Sequence, residues 1–204
     1  MRATETRPRP SDRSAIPGHR SWRIVAGTTA DAPRIAAVVN AAAVAYRGVI
    51  PADCSHEPYM PLSQLHAEIE AGVAFRLCVS GQGELLGVMG LQPVREVTLI
   101  RHAYVVPDHQ RDGVGSALLA QLLADCDTPV LIGTWAAAAW AIRFYERHGF
   151  ALVPEQAKPV VLRRYWTVPD RQVETSVVLA DARWFRDESA MGHPGTRNEG
   201  DASA

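Results

Sequence analysis

The sequence predicts an α/β domain, and three observations predict it. Runs with the two-residue period of strands alternate with runs of helical spacing between residues 22 and 179. Gly81, Gln82 and Gly83 separate a pair of short apolar runs as a tight hairpin turn would. A buried strand ending at Val106 passes through a short polar loop into an amphipathic helix opened by Gly113 and Gly115. A chain of 204 residues is long enough to bury one core and short for two.

Taken in order, Trp22–Ala26 is a short strand, after which Thr28 or Thr29 offers a cap oxygen to a helix with Ile35, Val38, Val39 and Ala42 on one side. Pro33 suits the first turn, where its missing N–H costs nothing. This helix fades over residues 46–50 ahead of Pro51, and a loop over 51–61 leads to a second helix, 62–71, closed by Gly72. Strands 75–80 and 85–91 form the hairpin, and strand 97–106 follows. Residues 113–126 make a helix that buries Val114, Leu118, Leu122 and Leu123, and 129–134 make the next strand. A helix over 137–148 ends at Gly149. Strands 150–153 and 172–179 come last, separated by a proline-interrupted stretch containing Arg163 and Trp166. Residues 1–20 and 188–204 hold too few bulky apolar side chains to offset their ordering entropy. The expectation is a folded domain over 21–187 between two disordered tails.

The charge balance narrows the partners. Lys plus Arg number 21 against 22 for Asp plus Glu, so no global field gathers nucleic acid or an anionic membrane. No apolar run is long enough for a membrane helix, and the arginines near the N-terminus are followed by no apolar segment that would make a secretory signal. Three cysteines, Cys54, Cys78 and Cys126, make an odd set with no close pairing, which fits a reducing, cytoplasmic setting. Cys54, His56 and Glu57 match no closed zinc spacing, so no metal is expected. A small molecule is the expected ligand.

The chemistry is expected at the mouth of the helix that follows Val106. Gly113 and Gly115 let backbone approach a ligand closely, and the first-turn N–H groups, with roughly half a positive charge from the helix dipole, favour an anion such as a phosphate. A dinucleotide fingerprint would want glycine where Leu118 stands, and a P-loop would want Gly-Lys-Ser/Thr after a longer gap; neither is present.

Two blocks carry a family resemblance. Val105-Val106-Pro107 followed by Gln110-Arg111-Asp112-Gly113-Val114-Gly115 resembles the Val-x-Pro and Gln/Arg-x-x-Gly-x-Gly/Ala signature of the GNAT superfamily of acyl-CoA-dependent acyltransferases. Ala141-Ile142-Arg143-Phe144-Tyr145-Glu146-Arg147-His148-Gly149-Phe150 resembles the family's Ala-x-x-Phe-Tyr-x-x-x-Gly-Phe helix end. The resemblance spans about residues 22–179. It implies the GNAT fold, a mixed, mostly antiparallel twisted sheet of about six to seven strands flanked by about four helices. It also implies an N-acetyltransferase that moves an acetyl or short acyl group from acetyl-CoA to a primary amine, on a small molecule or a protein, by direct attack in a ternary complex. Where the family often has Asn, seven residues before the tyrosine, this chain has Ala138.

By that resemblance the backbones of Val105 and Val106 hold the pantetheine arm. Gln110, Arg111, Asp112, Gly113, Val114, Gly115 and Ser116 hold the pyrophosphate, with Tyr104 and Phe144 also at the cofactor. Tyr145 corresponds to the general acid that protonates the departing thiolate. A lysine-like amine is neutral in only about one molecule in a few thousand at pH 7, so a base is needed. His102 has a suitable intrinsic pKa, although strand alternation turns it away from the face of Arg101, Ala103 and Val105; Glu96 is a second candidate. The loop over 51–61, with His56, Glu57 and Tyr59, lies where the family builds its acceptor pocket, and Trp135, Trp140 and Trp166 join it from the acceptor side. His109 and His148 read as surface histidines. A homodimer pairing through strand 172–179 is a further expectation. The missing Asn and the unassigned base also leave a non-catalytic acyl-CoA-binding sensor as an alternative with the same fold.

Overall fold

A seven-stranded sheet in the order β1-β2-β3-β4-β5-β7-β6 organises the chain. It is seen in a computed structural model that describes residues 21–190. The strands are β1 Trp22–Ala26, β2 Ala74–Ser80, β3 Leu85–Val94, β4 Val97–Val105, β5 Val130–Trp135, β6 Ala151–Leu152 and β7 Ser176–Ala180. Every neighbouring pair is antiparallel except β4 and β5. The β2–β3 turn forms where expected: Gly83 adopts φ +86°, and the Ser80 hydroxyl accepts from the amides of Gln82 and Glu84.

Helices cover both faces. On one, α1 Ala32–Ala43 and α2 Leu62–Glu70 bury Ile35, Val39 and Leu65 against Phe75, Leu77 and Val88 of the sheet. On the other, α3 Val114–Ala124 and α4 Ala139–Glu146 bury Leu118, Leu122 and Tyr145 against Met89, Ile100 and Ile132. The alternation of Leu77 with Cys78, and of Leu99 with Ile100, separates these faces. A third cluster, with Leu99, Leu131, Val178 and Trp184, lies under α5 Lys158–Tyr165, α6 Asp170–Thr175 and α7 Ala182–Ala190. It shares a face with α1 and α2 but sits over the other half of the sheet.

The sequence-based expectations differ from the fold mainly after Gly149. The proline-interrupted stretch is largely the helix α5, because Pro159 occupies its first turn and Val161, Leu162 and Tyr165 recur on one buried side. The strand expected over 172–179 is half helix: Pro169 precedes α6, Asp170 sits in its first turn, and only from Ser176 does the chain extend as β7. This strand lies between β5 and β6, and the two residues of β6 pair only with Ala180 and Leu179. The tails expected at 1–20 and 188–204 lie outside the described residues, apart from 188–190, which continue α7.

Two glycines inside β3 mark a tight place. A Cβ on Gly87 would stand 2.8 Å from Val114 Cγ1 and 3.1 Å from the Tyr104 carbonyl oxygen, and one on Gly90 would stand 2.9 Å from Val73 Cγ1 and 3.1 Å from the Arg101 carbonyl oxygen. Substitution Gly87→Ala is therefore expected to overpack the β3–α3 contact and lower stability by about 1–3 kcal/mol, read as a lower denaturation midpoint at unchanged slope.

Candidate functional site

The site begins with a break in β4. Register runs Val88 to Tyr104 and then Gly90 to Arg101, so His102 and Ala103 together oppose the single residue Met89. His102 takes the left-handed conformation at φ +49°. Pairing of β4 with β5 extends only from Thr98–Val130 to Ile100–Ile132, whereas β5 continues to Trp135 on its β7 side. Beyond Ile100 the two parallel strands diverge and leave a wedge.

Backbone groups on the wedge are sorted by the ladder. The Val106 amide donates to the Leu86 carbonyl at 2.9 Å, and its carbonyl accepts from the His109 amide at 3.0 Å. Both are thus spent within the protein, which differs from the expectation that Val106 shares the ligand-facing edge with Val105. Ladder alternation instead turns the Val105 groups away from β3 and towards the wedge, where the Gln110 side chain reaches the Val105 carbonyl at 3.4 Å.

At the wide end of the wedge stands the start of α3. Arg111 at φ +72° and Gly113 at φ +84° turn the loop so that Val114, Gly115 and Ser116 open the helix. The first intrahelical bond from this turn is Ala117 N–H to the Gly113 carbonyl, 3.0 Å, so the amides before it are free of intrahelical partners, the arrangement that favours an anion. Space around Gly113 is open, and its positive φ is what requires glycine; a Cβ on Gly115 would stand 3.5 Å from the Phe144 ring. A cavity of about 390 Å³ opens here, lined by Tyr104, Val105, Gln110, Arg111, Gly113, Gly115, Ser116, Phe144 and Tyr145. His109 also lines it, and its Nδ1 lies 3.1 Å from Asp112. The donors suit a diphosphate, and the Tyr104, Phe144 and Tyr145 rings offer apolar contact to the arm beyond it.

Tyr145 is buried at the floor of this cavity, with Phe144 at 5.1 Å and Phe150 at 5.9 Å in edge contacts. Burial, with the neighbouring Tyr46, pushes its phenol well above the ordinary tyrosine range. Tyr46 stacks on Tyr59 at 5.8 Å and meets Tyr104 edge-on at 6.3 Å; burial first, and Tyr59 second, push its phenol up to about 12. Trp140 sits with this group, 5.5 Å from Tyr46, and lines the 390 Å³ cavity rather than the acceptor side expected for it. Ala138, in the place of the family's Asn, is fully buried with Ile50 and Trp135.

A second cavity, about 650 Å³, fills the gap between the α1/α2 core and the α5/α6 core. Tyr46 and Tyr104 line both cavities. His56, Tyr59, Trp135 and Trp166 line the second. Glu57 does not: it reaches out to Arg47 at 2.8 Å, where both side chains are exposed. Glu96 is also elsewhere, bound to Arg164 and Tyr165 at the β3–β4 turn. Among the described residues no three His, Cys, Asp or Glu side chains gather in a metal-binding group, and no helix is long and apolar enough to cross a membrane.

The polar centre of this second cavity is Glu68 of α2, which the sequence did not single out. Its carboxylate accepts from His102 Nε2, from Arg101 Nη2 at 3.1 Å and from Gln64 at 3.0 Å. Arg101 and His102 are consecutive, so a regular strand would point them to opposite faces; the bulge brings both to Glu68 and overturns the expectation that His102 faces away from Arg101. Burial would raise the Glu68 pKa, but the His102 hydrogen bond, the His102 charge and the Arg101 charge outweigh it and bring it down to about 2. An ionised carboxylate only accepts, so Nε2 of His102 carries the hydrogen and the lone pair of its neutral form lies on Nδ1. The two interior glycines of β3 were the signal for this bulge.

A bulged fourth strand, a parallel pair that separates beyond Ile100 and a glycine-opened helix mouth together make up the site. Residues 72–152 match the acetyltransferase (GNAT) domain. A GNAT-family acetyltransferase of Staphylococcus aureus Mu50 aligns with TM-score 0.61 at 15% identity, covering 79% of this chain and 98% of that one. The PaiA N-acetyltransferase of Thermoplasma acidophilum, solved with coenzyme A, aligns with TM-score 0.59 at 14% identity over 79% and 98%. The ribosomal-protein-S18-alanine N-acetyltransferase of Escherichia coli aligns with TM-score 0.55 at 19% identity over 79% and 93%. No curated protein matches in sequence. The resemblance to the GNAT superfamily is thereby borne out: the chain carries a GNAT acetyltransferase domain match and has the fold of that family.

The Glu68 cluster has a consequence for pH. A carboxyl whose pKa falls from 4.5 to about 2 on folding contributes stability above pH 4.5, and that contribution is lost as pH falls towards 2. Melting temperatures measured across this window are expected to fall more steeply for the wild type than for Glu68→Gln.

Proposed function

We propose that the protein is an N-acyltransferase that passes an acetyl or other short acyl group from a coenzyme A thioester to a primary amine. The observation that carries this reading is the pair of cavities meeting at Tyr46 and Tyr104, one furnished for a diphosphate and one for a polar acceptor. The amides of Val114, Gly115 and Ser116, with the loop of Gln110, Arg111 and Asp112, receive the diphosphate. The Val105 backbone receives the pantetheine arm as an added strand would, with Tyr104 and Phe144 beside it. His56 and Tyr59 meet the acceptor.

In the reaction the amine nitrogen attacks the thioester carbonyl carbon, the C–N bond forms and the C–S bond breaks. His102 takes the ammonium proton at Nδ1, and Glu68, bound to Nε2–H, holds the ring and steadies the imidazolium. Tyr145 gives its O–H proton to the departing sulfur and is reprotonated by the second proton that the attacking nitrogen loses as the amide forms; burial keeps that phenol protonated at working pH. The support for these roles is the placement of Tyr145 on the donor cavity and of His102 with Glu68 on the acceptor cavity.

Calorimetry with acetyl-CoA, followed by thiol release across a panel of primary amines, tests the reading. Binding with turnover on at least one amine is expected; tight binding with no turnover on any would favour a sensor, and no binding would overturn the assignment. Substitution Tyr145→Phe is expected to lower kcat by about 10²-fold while acetyl-CoA affinity holds, as removing a proton donor does. For His102→Ala, the ascending limb of the kcat/KM against pH profile should disappear; an unchanged limb would remove the histidine from the base role.

A further inference from the structure

His148 is tied to the anion site. It follows α4, is half-buried against the Phe144 ring at 4.5 Å, and spans two hydrogen bonds. Its Nδ1 lies 2.7 Å from the Phe144 carbonyl oxygen, and its Nε2 lies 3.0 Å from Ser116 Oγ. Ser116 is in the first turn of α3 and lines the 390 Å³ cavity.

The proton inventory of this chain of three groups is determinate. A carbonyl oxygen only accepts, so Nδ1 carries a hydrogen in every protonation state. In the neutral ring Nε2 is then the acceptor, and the Ser116 hydroxyl must donate its one hydrogen to it. That turns the hydrogen towards His148 and leaves only lone pairs on Oγ for the cavity. In the imidazolium, Nε2–H donates instead, Oγ accepts, and the serine hydrogen is released to point elsewhere. A diphosphate accepts hydrogen bonds and donates none, so it favours the second arrangement.

We infer that His148 is a proton-linked positioning residue, whose imidazolium form frees the Ser116 hydroxyl to donate to a bound diphosphate. This rests on the assignment of the α3 mouth to the diphosphate of a coenzyme A thioester. Helix α3 brings no charged side chain to His148, since residues 114–124 include no Asp, Glu, Lys or Arg. The charged residues of its own segment are Arg143, Glu146 and Arg147, and those of the loop before α3 are Arg111 and Asp112. Arg111 and Arg147 line the same cavity and add positive charge there. The position at the end of α4, where a helix favours a cation, acts in the same direction as the ligand. Binding of the diphosphate therefore takes up a proton at His148, and affinity falls as pH rises, by up to about tenfold per pH unit.

The probe is dephospho-CoA, which keeps the diphosphate and lacks the 3′-phosphate, a group whose own titration near pH 6 would add a second proton exchange. Calorimetry of the full chain at pH 8, in two buffers of different ionisation enthalpy, counts the protons taken up. Wild type is expected to take up a substantial fraction of one proton. His148→Gln, which offers an uncharged donor to Ser116, is expected to bind with no uptake and with affinity flat from pH 6 to 8. Ser116→Ala removes the hydroxyl but leaves the ring, and its uptake should fall well below that of the wild type. Wild-type binding without uptake, or full uptake in Ser116→Ala, would overturn the inference while leaving the acyl-CoA assignment in place. Failure of folded wild type to bind dephospho-CoA and acetyl-CoA alike would overturn both.

Discussion

The extra residue at His102–Ala103 keeps β4 and β5 from pairing to their ends, and the slot between them depends on it. An uninterrupted parallel ladder would spend the outward groups of β4 on β5 and leave no backbone for a ligand. A non-glycine residue at positive φ costs on the order of 1–3 kcal/mol, so the surrounding structure has to hold it. Glu68 holds His102 from α2, Arg101 supports Glu68 from the next position, and Gln92 supports Arg101 at 2.7 Å. The bulge and the cluster are therefore one arrangement: without the bulge Arg101 and His102 would not converge, and without the carboxylate the Arg101 and His102 donors would face each other unpaired.

On the other side of the wedge hydrogen-bond direction acts together with positive charge. The α3 mouth presents N–H groups, the Ser116 hydroxyl and arginines, while the acceptors nearby are already spent: the Val106 carbonyl on His109 and the Phe144 carbonyl on His148. Such a surface disfavours a ligand that must donate and suits one that only accepts. Tyr145 is set back behind it, among Phe144, Phe150 and Tyr46, where burial suppresses ionisation of the phenol.

How much of this was legible in the sequence follows from the range of each constraint. The helix mouth was legible because its cause is local: Gly113 needs its positive φ, and the strand before it and the apolar spacing after it lie within a few residues. Tyr145 was legible because it belongs to a contiguous block. Glu68 was not, since it lies 34 residues before His102 and only the bulge brings them together. The different fates of Val105 and Val106 depend on register against Leu86, which no local pattern states. Pro159 and Pro169 were read as breaks, yet one opens α5 and the other precedes α6, positions where proline's fixed φ is tolerated. Glu57 fell within the right loop but on its outer side, a matter of which way each side chain of an irregular segment turns.

Under the proposed acyl transfer, the electrostatics of the second cavity bear on the protonation problem posed by an amine. Each carboxylate on its wall already has a cation: Glu68 has Arg101 at 3.1 Å, and Asp53 has Arg171 at 3.0 Å. An incoming ammonium therefore meets little uncompensated negative charge, and nothing there holds it in the charged form. Desolvation in a cavity walled by Tyr46, Tyr59, Trp135 and Trp166 disfavours that form further. A lysine-like amine starts about three orders of magnitude short of neutral at pH 7, and each unit by which its pKa falls recovers a factor of ten. A site that binds the amine through its apolar body rather than its charge thus lightens the work left to His102. It also means that affinity for the acceptor has to come from contacts away from the nitrogen, along the walls formed by α2, β5 and the segment joining α5 to α6.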